Sequence, residues 1–254
     1  LVGPFLGSLL ASSPVFADDQ CPDVPNSFVD VQRWQTSHDV SGVIADPVYA
    51  TDRNFTGARV DGYLSEKVWI APAVIERLTT TALSSVQTQL EKIIGSERSR
   101  RFRFIVKDGY RPHRATDAFV EWGRAHHLSG GWVASGISGH NRGYTVDLTL
   151  GYINDAGIVQ EVWMGATFDE FNSNSNHGMN GRPVASTDQR LSYDDPVNAP
   201  HDGYIVFSDI NGLQLRNALK LGMQTVGFSS YGQEYWHYTM SGYSSAQCYD
   251  RPIQ

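Results

Sequence analysis

The sequence predicts an α+β fold: a single domain over residues 18–254, built on a central, mainly antiparallel sheet flanked by helices. Three observations predict it. Helical and strand-like segments alternate without the regular βαβ rhythm of a parallel sheet. Tyr144 to Leu150 reads as a strand, with Tyr144, Val146, Leu148 and Leu150 on one face and Thr145, Asp147 and Thr149 on the other. Finally, no linker, repeat or low-complexity stretch divides the chain. Its 254 residues are 41% hydrophobic and 19% charged, ordinary for a globular protein.

At the N-terminus, Leu1 to Ala17 is uncharged and gives way abruptly to Asp18-Asp19-Gln20. Val15-Phe16-Ala17 offers small or permissive residues where a signal peptidase reads. The expectation is a partial signal peptide over 1–17 and an exported protein, periplasmic or secreted; a disordered apolar tail is the alternative. The run is too short, and too broken by Gly3, Pro4 and Pro14, to span a bilayer. Cys21 and Cys248 lie near the two ends of the mature chain. If they pair in an oxidising compartment, the disulfide closes a very long loop and contributes roughly 4–5 kcal/mol in the chain-entropy model. Two unpaired thiols remain the other reading.

Further along, Pro72 to Ile94 has helical spacing through Val74, Leu78, Leu83, Val86, Leu90, Ile93 and Ile94, with Gly95 as its stop. Phe102, Phe104 and Val106 alternate with Arg103, Ile105 and Lys107 as a strand does. Asp108-Gly109-Tyr110 is a turn, and Pro112 opens a helix running to about His127. A Gly- and Ser-rich loop, 130–139, leads to His140. Asn172 to Asp195 is polar and irregular, long enough for a lid or binding loop. Leu213–Met223 reads as a helix, Thr225–Phe228 as a short strand and Tyr235–Met240 as a closing strand. The net charge of −7 and the lack of a long basic run exclude a nucleic-acid binder; Arg98, Arg100, Arg101 and Arg103 read as a solvated turn.

The chemistry concentrates in two segments, Ser138-Gly139-His140-Asn141-Arg142-Gly143-Tyr144-Thr145-Val146-Asp147 and Glu234-Tyr235-Trp236-His237. Two imidazoles and a carboxylate, His140, Asp147 and His237, make the usual three-ligand count of a catalytic zinc. Glu234 adds a second carboxylate able to accept a proton from water. Each has a plainer reading: His140 as a surface loop histidine, His237 as a core histidine within an aromatic run. On a regular strand Glu234 and His237 point to opposite faces, so a bulge, or a Glu234 still in the loop, must reconcile them. Arg111, between a strand end and a helix start, suits an oxyanion partner or a surface salt bridge.

Six blocks occur in order: Tyr49-Ala50-Thr51 with Asn54-Phe55-Thr56-Gly57 and Val60-Asp61-Gly62-Tyr63; Asp108-Gly109-Tyr110-Arg111-Pro112; Ser138-x-His140-x-Arg142-Gly143-x-x-x-Asp147; Met164-Gly165-x-x-Phe168-Asp169; Gly227-Phe228; and Glu234-x-Trp236-His237-Tyr238. Together they resemble the VanX-type D-alanyl-D-alanine dipeptidases, zinc peptidases related to the bacterial D,D-carboxypeptidases. The resemblance spans roughly Tyr49 to Tyr238. It implies a hedgehog/D,D-peptidase-like fold, one Zn2+ per chain held by His140, Asp147 and His237, Glu234 as general base, and Arg111 as stabiliser of the tetrahedral intermediate. It further implies that Tyr49 and Asp169 hold the ammonium of a small dipeptide substrate and that Ser138 and Tyr63 lie near its carboxylate. Against a dipeptidase stand a D,D-carboxypeptidase for longer stem peptides and a zinc-dependent cell-wall binding module without catalysis.

Overall fold

The computed structural model describes residues 21–38, 42–128, 131–133, 136–185 and 203–254. The 1–17 segment and residues 186–195 of the polar loop lie outside these. The architecture is mixed α+β. In chain order come β1 (Val29–Asp30), α1 (Val31–His38), β2 (Val43–Ala45), β3 (Trp69–Ile70), α2 (Pro72–Arg77), α3 (Leu83–Ile94), α4 (Ser96–Ser99), β4 (Phe102–Asp108) and α5 (His113–Ala125). Then follow β5 (Thr145–Ile153), β6 (Val159–Glu161), α6 (Gly212–Thr225), β7 (Phe228–Ser230) and β8 (His237–Met240). Six strands form the main sheet in the order β2-β4-β5-β8-β7, with β6 also on β5. Only the β2–β4 pair is parallel. None of the described helices is long and apolar enough to cross a membrane.

Residues 72–94 form one helical run, with a π-turn at Leu78–Ala82 joining α2 to α3. The cause is local. Thr79, Thr80 and Thr81 each turn a hydroxyl back onto a carbonyl of the preceding turn, at Ile75, Glu76 and Arg77, and such back-bonding loosens the helical ladder. Gly95, at φ 81°, ends the run as expected. Val74, Leu78, Val86 and Leu90 from this helix share a core with Phe102, Phe104, Val106, Val146, Leu148 and Leu150 of the sheet and Leu215, Leu219 and Met223 of α6. Gly222 lets α6 lie directly on the α3 backbone, because a Cβ there would overlap Val86.

Several boundaries differ from expectation. Pro112 caps α5 rather than opening it, and the helix ends at Ala125. The stretch 225–228 is not a strand: a capping box between Asn211 and Gln214 starts α6, which runs through Thr225, and the next strand begins at Phe228. The closing strand starts at His237, not Tyr235, because residues 231–237 make a tight turn with Glu234 N–H on Tyr231 O and His237 N–H on Glu234 O. Thr145, Asp147 and Thr149, the polar face of β5, are buried. That face is covered and carries the site.

Cys21 and Cys248 form a disulfide with Cα atoms 4.9 Å apart. Next to it, Tyr249 N–H bonds Asn141 O and His113 N–H bonds Tyr249 O, so the clasped C-terminal segment is stitched to the loop holding His140 and to the start of α5. Replacing both cysteines by serine should lower the unfolding free energy by about 2–5 kcal/mol. Urea melts of the oxidised protein and the double variant measure it, and coincident curves would show that the link adds nothing.

Candidate active site

Sheet register assembles the centre. On β5, Asp147 is paired with Asp108 of β4 on one side and with His237 of β8 on the other. A bulge between Val106 and Asp108 sets the first pairing. His140 arrives on the short 3-10 turn His140–Arg142, which Gly143 closes at φ 73°, a left-handed conformation that a Cβ disfavours. There a side chain would also run into the Phe28 ring.

The ligand atoms of His140, Asp147 and His237 lie within 4.8 Å of one another. His140 Nδ1 is 2.8 Å from Gly109 O. A carbonyl only accepts, so Nδ1 carries the proton and Nε2 offers its lone pair to the site. Nε2 is 3.3 Å from Asp147 Oδ2, and Asp147 Oδ1 is 3.1 Å from His237 Nδ1. Donors about 2.0–2.1 Å from a tetrahedral ion stand about 3.3–3.4 Å apart, so the spacing suits one metal ion. Among the described residues, His140 Nε2 and Asp147 Oδ1 are buried with no well-formed hydrogen bond beyond these contacts inside the triad, an arrangement a shared cation resolves. Burial raises the Asp147 carboxyl, but the His140 and His237 rings outweigh it and hold it well below the usual carboxylate range.

Glu234 hangs over this group from the turn before β8, its Oε2 3.5 Å from His237 Nδ1. The loop position removes the parity conflict with His237. Burial, and then the charge of Asp147, push its carboxyl up to about 8; a divalent cation among the ligands opposes both effects. Arg111 is buried on the other side. Its Nε donates to Asp108 Oδ2 at 2.9 Å, and its Nη2 lies 2.8 Å from the same oxygen and 3.3 Å from Asp147 Oδ2.

These groups line a cavity of about 350 Å³ shared by Tyr49, Arg111, Ser138, His140, Asp147, Asp169, Glu234 and His237. Asp169 closes one end. It sits at φ 59°, a left-handed conformation that aspartate tolerates better than most residues. Tyr49 OH donates to both its oxygens, at 3.2 and 3.1 Å. Burial, then the Asp147 charge, raise the Asp169 carboxyl well above its ordinary range, and a positive charge entering the pocket favours its ionised form. Phe55, Phe119, Trp132 and Phe171 wall the cavity with aromatic surface. A largely buried metal-type triad, an overhanging carboxylate and an acidic end wall thus share one small cavity, an arrangement suited to a hydrolase.

The peptidase M15 family profile, described as D-ala-D-ala dipeptidase, matches residues 28–254. The chain belongs to this family of metallopeptidases. It is 32% identical over 218 residues to a D-alanyl-D-alanine dipeptidase of Streptomyces coelicolor, covering 79% of this chain and 87% of the relative. It is 29% identical over 218 residues to one of Enterococcus faecium, with the same coverage. A third, of Enterococcus faecalis, is 30% identical over 216 residues, covering 78% and 86%.

Within this dipeptidase family member, eight of the nine expected active-site residues line the cavity. Among the described residues, Ser138 Oγ is buried and has no hydrogen-bond partner, which leaves it available to a substrate oxygen. Tyr63 is the ninth and lies behind the cavity, its hydroxyl donating to Asp108 Oδ1 at 2.8 Å. That placement makes it a support for Asp108 and Arg111 and not a wall of the pocket.

Two organising residues were not anticipated. Asp108 accepts from Tyr63, from Gly109 N–H and from Arg111, binding all three into one unit. Asn141 donates to Arg111 O and Thr116 Oγ1 and accepts from Ser138 N–H, tying the His140 turn to α5. An acid three residues before an arginine, across a turn, was the available signal for Asp108. Asn141, wedged between His140 and Arg142, had none.

Proposed function

We propose that the protein is a zinc-dependent dipeptidase that hydrolyses D-alanyl-D-alanine to two D-alanines. The observation that carries this reading is the end wall: Asp169, held by Tyr49, stands in the same cavity as His140, Asp147 and His237. A free dipeptide carries an ammonium, and a buried carboxylate is its natural partner. A blocked or extended N-terminus has no charge to offer there. The names of the relatives supply the substrate, D-alanyl-D-alanine.

His140, Asp147 and His237 would hold the zinc. Once bound, zinc would supply Lewis-acid chemistry, polarising the substrate carbonyl and making water more acidic. Glu234 accepts the proton released by the attacking water and returns it to the leaving amine. Arg111, fixed by Asp108, keeps its guanidinium pointed at the side where negative charge develops on the carbonyl oxygen. Tyr49, whose hydroxyl burial keeps protonated, orients Asp169 against the substrate ammonium. Ser138 Oγ reaches toward the carboxylate.

The purified zinc-loaded protein should cleave D-Ala-D-Ala and leave an N-acetylated tripeptide ending in D-Ala-D-Ala intact, with activity lost on chelation and restored by zinc. Cleavage of the blocked peptide alone would favour a D,D-carboxypeptidase, and zinc binding without turnover would favour a binding module. Asp169→Asn should raise KM for the free dipeptide by about 10–100-fold with a smaller change in kcat. An unchanged KM in steady-state assays would remove Asp169 from ammonium binding.

For the setting we propose export and a role in peptidoglycan turnover. The uncharged Leu1–Ala17 segment before Asp18 supports this, since an exported enzyme meets dipeptide released from the wall and not the cytoplasmic precursor pool. Fractionation of the native host decides it: cytosolic protein retaining residues 1–17 would sink the proposal.

A further inference from the structure

Arg216 is fully buried on α6, among the apolar residues Leu215, Ala218, Leu219 and Met223. Among the described residues no carboxylate pairs with it. Its Nε donates to Met164 O at 2.7 Å, and Nη1 donates to Asn176 O at 2.8 Å and Met179 O at 3.2 Å. The guanidinium also lies 4.6 Å from the centre of the Tyr235 ring. A buried cation whose direct partners are neutral carbonyls, with the Glu170 charge acting on it only from beyond contact, is costly, and a leucine would complete the apolar face of α6 without that cost. What leucine cannot do is hold three carbonyls from two loops in a planar fork.

One of those loops carries the anchoring group, and the other is tied to the turn that carries Glu234. Met164 begins the segment that ends in Asp169. The turn from Asn172 to Met179 is laced to both walls of the pocket. Toward the anchor, Ser175 Oγ donates to Glu170 O. Toward the base, Ser175 O accepts from Tyr235 N–H at 3.0 Å, and His177 N–H donates to Gly232 O at 3.1 Å. Tyr235, against the guanidinium, sends its hydroxyl to Ala166 O at 3.2 Å and is the residue next to Glu234. The Asp169 wall, the 172–179 turn and the Glu234 turn therefore meet at one buried guanidinium.

We propose that Arg216, which lines no part of the cavity, is a positioning residue that fixes the Asp169 wall and the Glu234 turn relative to each other. It acts through Met164, Asn176, Met179 and Tyr235, and sets the distance between ammonium anchor and proton acceptor. Misplacing catalytic groups by about 1 Å costs on the order of 10²-fold, so a small slip of either turn is enough to register. The effect on turnover rests on the dipeptidase reading; the effect on loop order does not.

The test uses the zinc-loaded full chain as Arg216→Lys and Arg216→Ala. Lysine keeps the charge but reaches one acceptor instead of three. Arg216→Lys should retain one zinc and lower kcat/KM for D-Ala-D-Ala by about 10–100-fold, with kcat and KM both changed. Amide exchange should quicken at His177 and Tyr235, whose N–H groups close the two lacing bonds. Arg216→Ala should regain part of its activity with millimolar guanidinium and none with sodium chloride at the same ionic strength. Folded Arg216→Lys with wild-type kcat, KM and amide protection would overturn the proposal, as would faster exchange confined to α6. If Arg216→Ala does not fold, Arg216→Lys decides alone. Should the wild-type protein leave D-Ala-D-Ala intact, the dipeptidase reading fails while the exchange measurement still settles the positioning role.

Discussion

Glu234→Gln should lower kcat on D-Ala-D-Ala by about 10²–10⁴-fold while one zinc stays bound. The side chain keeps its volume in its buried place in the turn before β8, so the loss isolates its proton-accepting ability from packing. The three metal-type donors come from other residues, so zinc stoichiometry should match the wild type. A variant that turns over at the wild-type rate, measured with its zinc content, would end the case for Glu234 as base. Stability of the metal-free protein should move the opposite way. Burial raises this carboxyl from about 4.5 to about 8 in the fold, so between those pH values the native state binds more protons than the unfolded chain. Wild-type stability should therefore fall as pH rises through that window. Glu234→Gln removes this contribution, and thermal melts of the metal-free proteins should show the variant at least as stable as wild type at pH 8.

The same residue shows what a sequence alone discloses. Alternation along Tyr144–Leu150 placed Asp147 on a polar strand face, and that face carries the site. The conflict of spacing between Glu234 and His237 was also legible, and the turn at 231–237 resolves it by keeping Glu234 off the strand. What escapes local reading is register. Asp108 looked like a turn residue because its meaning arises only when β4 pairs with β5 and sets it opposite Asp147. The three-residue strand β2, parallel to β4, carries too little pattern to be seen. The 225–228 segment was misread because its β-branched residues, Thr225 and Val226, imitate a strand, whereas the capping box at Asn211 and Gln214 drives α6 on to Thr225. Tyr63 sits in a family block, yet only the fold shows that Asp108 occupies its hydroxyl.

Arg111→Ala should produce the second large loss, and it should divide into two separable parts. Removing the guanidinium deprives the developing oxyanion of its fixed donor, which typically costs about 10²–10³-fold in kcat. It also leaves Asp108 and Asp147 buried as neighbours without their shared cation. Breaking one side of such a buried pair costs about 3–5 kcal/mol of stability. Asp108→Asn in the same background removes one of the stranded charges. An asparagine keeps the carbonyl oxygen that accepts from Tyr63 and Gly109 N–H, so the double variant should recover most of the lost unfolding free energy. It should not recover turnover, because the missing donor is the one proposed to meet the oxyanion. Urea melts and steady-state kinetics on the two variants read the two parts independently. If Asp108→Asn restored activity along with stability, Arg111 would be acting only as a counter-charge to the carboxylates beneath it, and the oxyanion would need another partner in the cavity.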